Sequence, residues 1–480
     1  MSTMLGPGAG AGPAPGSGIG RGRADVAPMR RPSARTHRDP RPNPAAHPHR
    51  APTPTPAPAA TPGPVIPVTF DGTRHAWLVL GYRELHYVLS SPEIFTSDPR
   101  NRARRENIPA DWAPLPGLGR RPSLLHTDSE DHQRRYQAVN DVLGEVDVFL
   151  LRARAEAITD SVIDDFAGLG SADLVASFAH QVPALVLASL CGPDDLDATQ
   201  IAEDLVDLVD IGADAARGHR QLVARLRDLL AIRLDEPPTE DIISGLIDHP
   251  AELTDDEIVE DLAVALGFGM RTVAGWIGNS LRLLLTDGSF ALELSGGRRS
   301  VMQALTRVLW EDTPLQITAG RWATRDIQLG GQRIRAGEMV ALGLAAANSD
   351  PRVRRDHASG PPAGCGAAPA HHHDHHNPGG GPARQGTAHH ADNAAGASAD
   401  AAGTGTTSGP NSAHLSFGHG AHRCPFPAQE IAEVITRTAV EVLLDRLPNV
   451  RLAVPAGALV WRRTAWNRAL TALPVRFSPV

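Results

Sequence analysis

The chain of 480 residues has few cysteines and no long apolar segment. Its three cysteines, Cys191, Cys365 and Cys424, are widely spaced, which excludes a disulfide framework and fits a reducing cytosol. No apolar run reaches the roughly 18 residues that a membrane helix needs, so the sequence predicts no membrane span. No apolar segment follows Arg30-Arg31, so we expect no secretory signal. We therefore expect a cytoplasmic protein, and the net charge of −8 argues against nucleic acid as its partner.

Two stretches are poor in large apolar residues. Residues 1 to about 64 are dominated by Gly, Ala, Pro and Arg, and residues 354 to about 412 by Gly, Ala, Pro, Asn and His. Such compositions bury too little apolar surface to offset the entropy cost of ordering. We predict a disordered tail and a disordered insert around one folded domain at 65–480, although a wrongly assigned start codon explains the tail equally well.

The insert contains clustered histidines at 371–376 and 389–390. Histidines bind zinc, nickel or copper, but a tract without fixed geometry binds them weakly and without selectivity. We assign no metal role to this cluster and no role to Cys365.

The segment 414–430 contains the pattern Phe-Gly-x-Gly-x-His-x-Cys, which is formed by Phe417, Gly418, Gly420, His422 and Cys424. Apolar residues at three- and four-residue steps predict a helix directly after it. Backbone N–H groups and the helix dipole at such a position favour a thiolate. The glycines allow positive φ angles and the close approach of a flat cofactor. The alternative is that Cys424 is a small buried hydrophobic residue, as most lone cysteines are.

This segment resembles the haem-binding loop of the cytochromes P450, whose cysteine thiolate is the axial iron ligand. The family usually has a glycine two residues after the cysteine, where this chain has Phe426. The resemblance extends over about residues 65–352 and 413–480, and it implies a mainly α-helical fold with small β-sheets and haem b as cofactor. It also implies that Cys424 ligates the iron, that Phe417 shields the sulfur, and that His422, Arg321 and His132 contact the haem propionates.

A second segment predicts a long central helix. Thr254 to Glu257 has the form of a capping box, and a mainly apolar pattern runs from there to Leu285. It resembles the P450 helix that crosses the haem, where an acid and a threonine pass protons to bound oxygen. Thr272 matches the threonine, but Arg271 replaces the acid, and arginine is a poor proton relay. Three interpretations of Arg271 remain open. It points away from the haem, or it offers its charge to a carboxylate-bearing substrate, as an arginine does in peroxide-using fatty-acid P450s. The third interpretation is that the activity is lost or altered.

Two more positions depart from the family pattern. Arg307 and Trp310 stand where the family has the ion pair of Glu-x-x-Arg, and we expect Trp310 to pack apolar surface in the arginine's place. Tyr136 stands where the family has the arginine of His-x-x-x-Arg, four residues after His132.

The resemblance implies a monooxygenase that inserts one oxygen atom from O₂ into a small organic substrate, in secondary metabolism. Electrons would come from NAD(P)H through a ferredoxin reductase and a ferredoxin, and we expect a monomer. Five arginines are candidates for a basic face that binds the ferredoxin: Arg120, Arg121, Arg134, Arg135 and Arg423. Two alternatives remain: a haem-thiolate enzyme that uses peroxide or performs a rearrangement, and a degenerate P450 that acts as a haem-containing partner protein.

Overall fold

A computed structural model describes residues 63–70, 74–99, 123–192, 195–208, 213–295, 298–353, 413–462, 464 and 466–480. The predicted tail lies almost wholly outside these residues, and so do the predicted insert, Cys365, Arg120 and Arg121. The described part is mainly helical with small sheets, so the predicted fold class is confirmed. None of its helices is long and apolar enough to cross a membrane.

Twelve α-helices occur among the described residues. In chain order they are α1 Tyr82–Ser90, α2 Ser129–Gly144, α3 Val148–Ala167, α4 Gln181–Ala188, α5 Asp195–Asp207, α6 Ala213–Asp235, α7 Ile242–Asp248, α8 Asp255–Thr286, α9 Gly288–Ser295, α10 Arg298–Glu311, α11 Leu344–Asn348 and α12 Phe426–Arg446. A short π-helix at Val175–Ala179 precedes α4.

The strands of the described residues are short. They are β1 Val65–Phe70, β2 Arg74–Val79, β3 Phe95–Thr96, β4 Ser171–Asp173, β5 Thr318–Ala323, β6 Ile327–Leu329, β7 Gln332–Ile334, β8 Met339–Leu342, β9 Arg451–Leu452 and β10 Pro474–Arg476. The largest sheet has the order β1-β2-β8-β5-β3, in which only β2 and β8 run parallel. A second sheet has the order β4-β10-β9, and β6 and β7 form a hairpin. Gly330 and Gly331 make its turn with positive φ angles of 56° and 82°.

Helix α8 is the centre of the helical core. The predicted capping box begins it: Thr254 Oγ1 accepts from the Glu257 N–H, and the Glu257 carboxylate accepts from the Thr254 N–H. With 32 residues at about 1.5 Å each, α8 is about 48 Å long and can cross a whole domain. Its apolar residues belong to one large buried cluster with those of α2, α3, α4, α6 and α12. The helix therefore passes through the core beside the segment that carries Cys424.

Strand β5 carries Arg321 next to an irregularity in the sheet. The register with β8 shifts between Thr318 and Arg321, and Gly320 has a φ of +101°. A bulge of this kind changes the direction in which the next side chain leaves the strand, and bulges are common beside functional sites.

Candidate haem site

The loop before Cys424 is a tight turn that depends on its glycines. Gly418 and Gly420 have φ angles of +74° and +73°, so the prediction of positive φ at both is confirmed. The Gly418 N–H donates to Leu415 O and the Cys424 N–H donates to Phe417 O, each over 2.9 Å. A Cβ atom at Gly420 would overlap the carbonyl oxygen of Leu89 at the end of α1. The turn therefore holds Cys424 in a defined position just before α12.

The thiol of Cys424 lies two residues before the first residue of α12 and is half-buried. We expected the helix terminus to favour a thiolate, but burial raises the pKa of this thiol to about 12. Desolvation disfavours the thiolate form of a sulfur that no metal ion holds. A metal ion that binds the sulfur has to displace the proton, as thiolate ligation generally does.

Phe417 and Trp276 connect the cysteine loop to α8. Their ring centroids lie 6.0 Å apart in an edge-to-face arrangement. Thr272 is four residues before Trp276 and therefore lies on the same face of α8. Its hydroxyl donates to Phe268 O at 2.8 Å, within its own helix. The predicted residues Thr272, Phe417 and Cys424 are thus brought to one region between α8 and the cysteine loop.

An apolar cavity of about 70 Å³ lies between α8 and α12. Its lining includes Leu266, Gly269 and Val273 of α8, and Ala428 and Ile431 of α12. Apolar cavities of this kind exclude water. The lining between the two helices is therefore apolar.

His422 is buried beside Asp128, which directly precedes α2. Its Nε2 atom lies 3.0 Å from Asp128 Oδ1 and 3.0 Å from Ser97 Oγ. Its Nδ1 atom is buried and makes no hydrogen bond among the described residues. Burial, followed by the positive charge of Arg321, lowers the pKa of His422 to about 3. The neutral imidazole is therefore the form that this environment favours.

His132 packs on His422, with ring centroids 3.8 Å apart. The Nδ1 atom of His132 lies 3.0 Å from Leu124 O, and its Nε2 atom lies 3.1 Å from Ala421 O. The structure thus places His132 against the cysteine loop, where a ligand contact was expected. Both of its ring nitrogens face backbone carbonyls in this conformation.

Arg321 is the half-buried cation of the site. Its described hydrogen bond runs from Nη1 to Gly320 O at 3.3 Å, and no carboxylate of a described residue forms an ion pair with it. Desolvation lowers its pKa to about 10, and the charge of Asp128 offsets this only in part. A cation that is desolvated without a partner favours an anionic ligand.

Arg271 extends from α8 towards the end of α5. Its Nη2 atom donates to Leu208 O over 2.9 Å, and its Nε atom is buried without a hydrogen bond to a described residue. Burial lowers the pKa of this guanidinium. Arg271 is therefore a second desolvated cation, one residue from Thr272.

Arg307 and Trp310, which stand at the positions of the family's ion pair, lie in different surroundings. Trp310 is 8 % exposed, and its ring meets that of His414 edge-to-face at 5.9 Å, so the expectation that it packs apolar surface is confirmed. Arg307 forms ion pairs with Glu311 at 3.0 Å and Asp287 at 3.4 Å.

The prediction of a basic face is wrong for one of its five arginines. Arg135 is 2 % exposed and forms a bidentate ion pair with the fully buried Asp261, with N···O distances of 2.8 and 2.7 Å. Arg134 is partly exposed and pairs with Asp131 and Glu257. Arg423 is exposed. Of the five arginines, only Arg423 and Arg134 therefore offer charge on the surface of the described part.

Two residues of the site were not expected from the sequence. The carboxylate of Asp128 contacts His422 and also accepts from the N–H groups of Ser97 and Asp98. Asn348 is fully buried and contacts the segment before the cysteine loop. Only Asp128 could have been linked to the site from the sequence, because it lies four residues before the candidate site residue His132.

Comparisons with known proteins agree with this arrangement, although no family model matches the chain. The chain is 27 % identical to cytochrome P450 107B1 of Saccharopolyspora erythraea, over 84 % of this chain and 89 % of that protein. It is 28 % identical to the mycinamicin IV hydroxylase/epoxidase of Micromonospora griseorubida, over 83 % of this chain and 89 % of that protein.

A solved structure supports the fold. The Bacillus subtilis polyketide synthase cytochrome P450 PksS matches with a TM-score of 0.66 and 22 % identity, over 86 % of this chain and 94 % of that one. Several of the sequence relatives are named monooxygenases, hydroxylases or epoxidases. The recognition made from the cysteine loop is confirmed: the chain is similar to bacterial cytochromes P450 in sequence and to a cytochrome P450 in fold.

Proposed function

We propose that the chain is a haem-thiolate monooxygenase that inserts one oxygen atom from O₂ into a small organic substrate. The observation that carries this proposal is the position of Cys424, on a glycine-dependent turn next to α8 and at the start of α12. Hydroxylases and epoxidases among the relatives support the reaction class.

The residues of the site fit haem b. Arg321 forms no ion pair with a carboxylate of a described residue, so it suits a propionate. His422 would contact a propionate through Nδ1 only if that nitrogen carried the proton. The apolar lining between α8 and α12 would face the porphyrin. Cys424 would ligate the iron, with Phe417 shielding its sulfur and with Gly418 and Gly420 shaping the turn. When bound, haem supplies the activation of oxygen.

The chain's own residues would orient the substrate and handle protons. Thr272 donates its hydroxyl proton to Phe268 O, so its oxygen lone pairs are left to accept a hydrogen bond from a molecule in the site. Arg271 cannot pass on a proton in the way a carboxylate does, because a guanidinium stays protonated. Proton delivery at this position would therefore depend on solvent and on the Thr272 hydroxyl.

Electrons would come from NAD(P)H through a ferredoxin reductase and a ferredoxin. Arg423 is exposed on the cysteine loop and is the charge nearest in sequence to Cys424 that such an acidic partner would meet. We propose that the protein works as a monomer.

The test is the carbon monoxide difference spectrum of the reduced, haem-loaded protein. We expect the Soret band typical of thiolate-bound haem in the wild type and its loss in Cys424→Ala. Cys191→Ala is the matched control, because Cys191 is a fully buried cysteine far along the chain from the loop, and it should keep the band. No haem uptake, or a band typical of neutral ligation in the wild type, would refute the proposal. Tight haem binding without turnover would favour the partner-protein alternative.

A peroxide-using enzyme is the second candidate, and Arg271 is the observation that favours it. Arg271 is the residue before Thr272. Its guanidinium is desolvated and forms no ion pair with a described residue. A carboxylate-bearing substrate would supply the missing charge and could serve as the acid in place of a side chain. Turnover with hydrogen peroxide in the absence of reductant would support this candidate, and turnover only with the electron-transfer chain would exclude it.

A further inference from the structure

Asn348, the last residue of α11, is fully buried and uses its whole side-chain amide. Its Nδ2 atom donates to Leu309 O over 3.0 Å and to Ser416 Oγ over 3.1 Å. Its Oδ1 atom accepts from the Leu415 N–H over 2.8 Å. Every hydrogen of the amide group thus has a partner, which is what a buried amide needs in order not to destabilise the fold.

Ser416 completes the same contact. Its hydroxyl donates to Leu309 O over 2.7 Å, so this carbonyl near the end of α10 accepts two hydrogen bonds. Together, Asn348, Ser416 and the carbonyl of Leu309 join α11, α10 and the segment before the cysteine loop. We call these three groups the amide latch.

The amide latch is two hydrogen bonds away from Cys424. Leu415, whose N–H is held by Asn348, accepts from the Gly418 N–H over 2.9 Å. Phe417, between them, accepts from the Cys424 N–H over 2.9 Å. A shift of Leu415 therefore moves both ends of the turn that carries the thiol.

Trp310 and Arg307 leave this contact without the charge pair that the family pattern has on α10. Trp310 places an apolar ring against His414, and Arg307 pairs with Glu311 and Asp287 instead. The residues of α10 that reach the cysteine segment do so through a backbone carbonyl and an aromatic ring.

We propose that Asn348 is a positioning residue for Cys424 and that the amide latch fastens the cysteine segment to α10 and α11. Neutral hydrogen bonds between buried groups are not screened by salt, whereas ion pairs near the surface are. The loop position should therefore be independent of ionic strength. The part of this inference that concerns haem rests on the proposed function, and the part that concerns the loop does not.

The test is amide hydrogen exchange of residues 413–424 in the haem-free protein. In Asn348→Ala we expect exchange of this segment to be at least about tenfold faster, because the buried Leu415 N–H loses its acceptor. Exchange in the wild type should not change between low salt and about 1 M NaCl.

Asn279→Ala is the matched control. Asn279 is also a buried asparagine of the core, and its Nδ2 atom donates to two carbonyls, Asp312 O at 2.9 Å and Arg468 O at 3.0 Å. It does not touch the cysteine segment, so its loss should destabilise the fold without selectively loosening residues 413–424. Equal acceleration in both variants, or none in Asn348→Ala, would overturn the inference.

Ser416→Ala keeps the test informative if Asn348→Ala does not fold. It removes one donor to Leu309 O and one acceptor for Asn348, so we expect a smaller acceleration confined to the same segment. With haem bound, both variants should lose part of the thiolate signature in the carbon monoxide spectrum, while Asn279→Ala keeps it. Failure of the wild type to bind haem would refute the proposed function, and the exchange result would still decide the role of Asn348.

Discussion

The Nε2 atom of His422 lies 3.0 Å from the Oδ1 atom of Asp128, and this contact joins the cysteine loop to the start of α2. The other oxygen of Asp128 accepts from the N–H groups of Ser97 and Asp98, at 2.9 and 3.0 Å, and from the hydroxyl of Thr96. One carboxylate therefore fixes three segments that surround the candidate propionate site. Despite its desolvation, the hydrogen bonds from His422 and Thr96 hold the pKa of Asp128 below its usual value.

The first prediction concerns this carboxylate. Asp128→Ala should lower the free energy of unfolding of the haem-free protein by about 3 kcal/mol, because two N–H groups and one imidazole lose a charged acceptor. Urea denaturation measures the change. Asp131→Ala is the control on the same helix; it removes only an ion pair with the partly exposed Arg134 and should cost at most about 1 kcal/mol. Equal costs for the two variants would show that Asp128 does not organise the site.

The second prediction concerns Gly420. A Cβ atom there combines a φ of +73° with overlap of the Leu89 carbonyl oxygen, a backbone atom that cannot rotate away. Gly420→Ala should therefore displace the cysteine loop from α1 and abolish the thiolate signature of the haem-loaded protein.

Two other glycines are controls that distinguish backbone strain from steric overlap as the cause of this effect. Gly331 has a φ of +82° but open space around it, so Gly331→Ala should cost only the roughly 1–2 kcal/mol of a left-handed residue. Gly457 has open space and no positive φ, so Gly457→Ala should be nearly neutral. If Gly420→Ala behaves like Gly331→Ala, the close approach of α1 is not a constraint on the loop.

The third prediction concerns Arg271. Arg271→Glu restores an acid next to Thr272, so oxygen-driven turnover with a ferredoxin and its reductase should rise if the missing acid limits the reaction. Arg271→Met removes the charge without adding a carboxylate and is the matched control. Equal oxygen-driven rates in both variants would contradict a role for the acid. A loss of turnover in both, with haem binding intact, would instead assign Arg271 to the substrate.

Local signals predicted the elements of this fold well. The capping box of Thr254 and Glu257 begins α8, and the apolar period after Cys424 continues as α12. Each of these signals is contained in a few consecutive residues, because caps, turns and apolar periods are properties of the local chain.

Contacts between distant residues could not be predicted in this way. Asp128 and His422 are 294 residues apart in the chain, and Asn348 and Leu415 are 67 apart. Arg135 was interpreted as part of a surface charge run. Its spacing from His132 and Ala138, three residues on either side, places it on the buried face of α2, and that period was the available signal.

The fourth prediction concerns the buried ion pair of Arg135 and Asp261. Either Arg135→Met or Asp261→Leu alone should lower the free energy of unfolding by about 3–5 kcal/mol, because each leaves an uncompensated buried charge. The double variant should recover most of this loss, because it replaces both charges with apolar side chains. Urea denaturation of the four proteins in a double-mutant cycle measures the coupling. Purely additive losses would contradict the ion-pair account.

The fifth prediction concerns His180, which is 9 % exposed and follows the π-helix. Burial, followed by the charge of Arg462, lowers its pKa from 6.5 to about 4, although Asp173 acts in the opposite direction. Between pH 6.5 and 4 the unfolded chain binds a proton at this residue and the folded chain does not. The stability that His180 contributes is therefore fully present above about pH 6.5 and is lost as the pH falls towards 4.

The loss attributable to His180 should approach about 3 kcal/mol between pH 7 and pH 4. His180→Gln has no titrating group at this position, so its free energy of unfolding should fall less steeply over the same range. The measurement is urea denaturation of both proteins at half-unit steps of pH. If the two curves of unfolding free energy against pH are parallel, His180 is solvated in the folded state. Only a desolvated imidazole has a folded-state pKa below that of the unfolded chain.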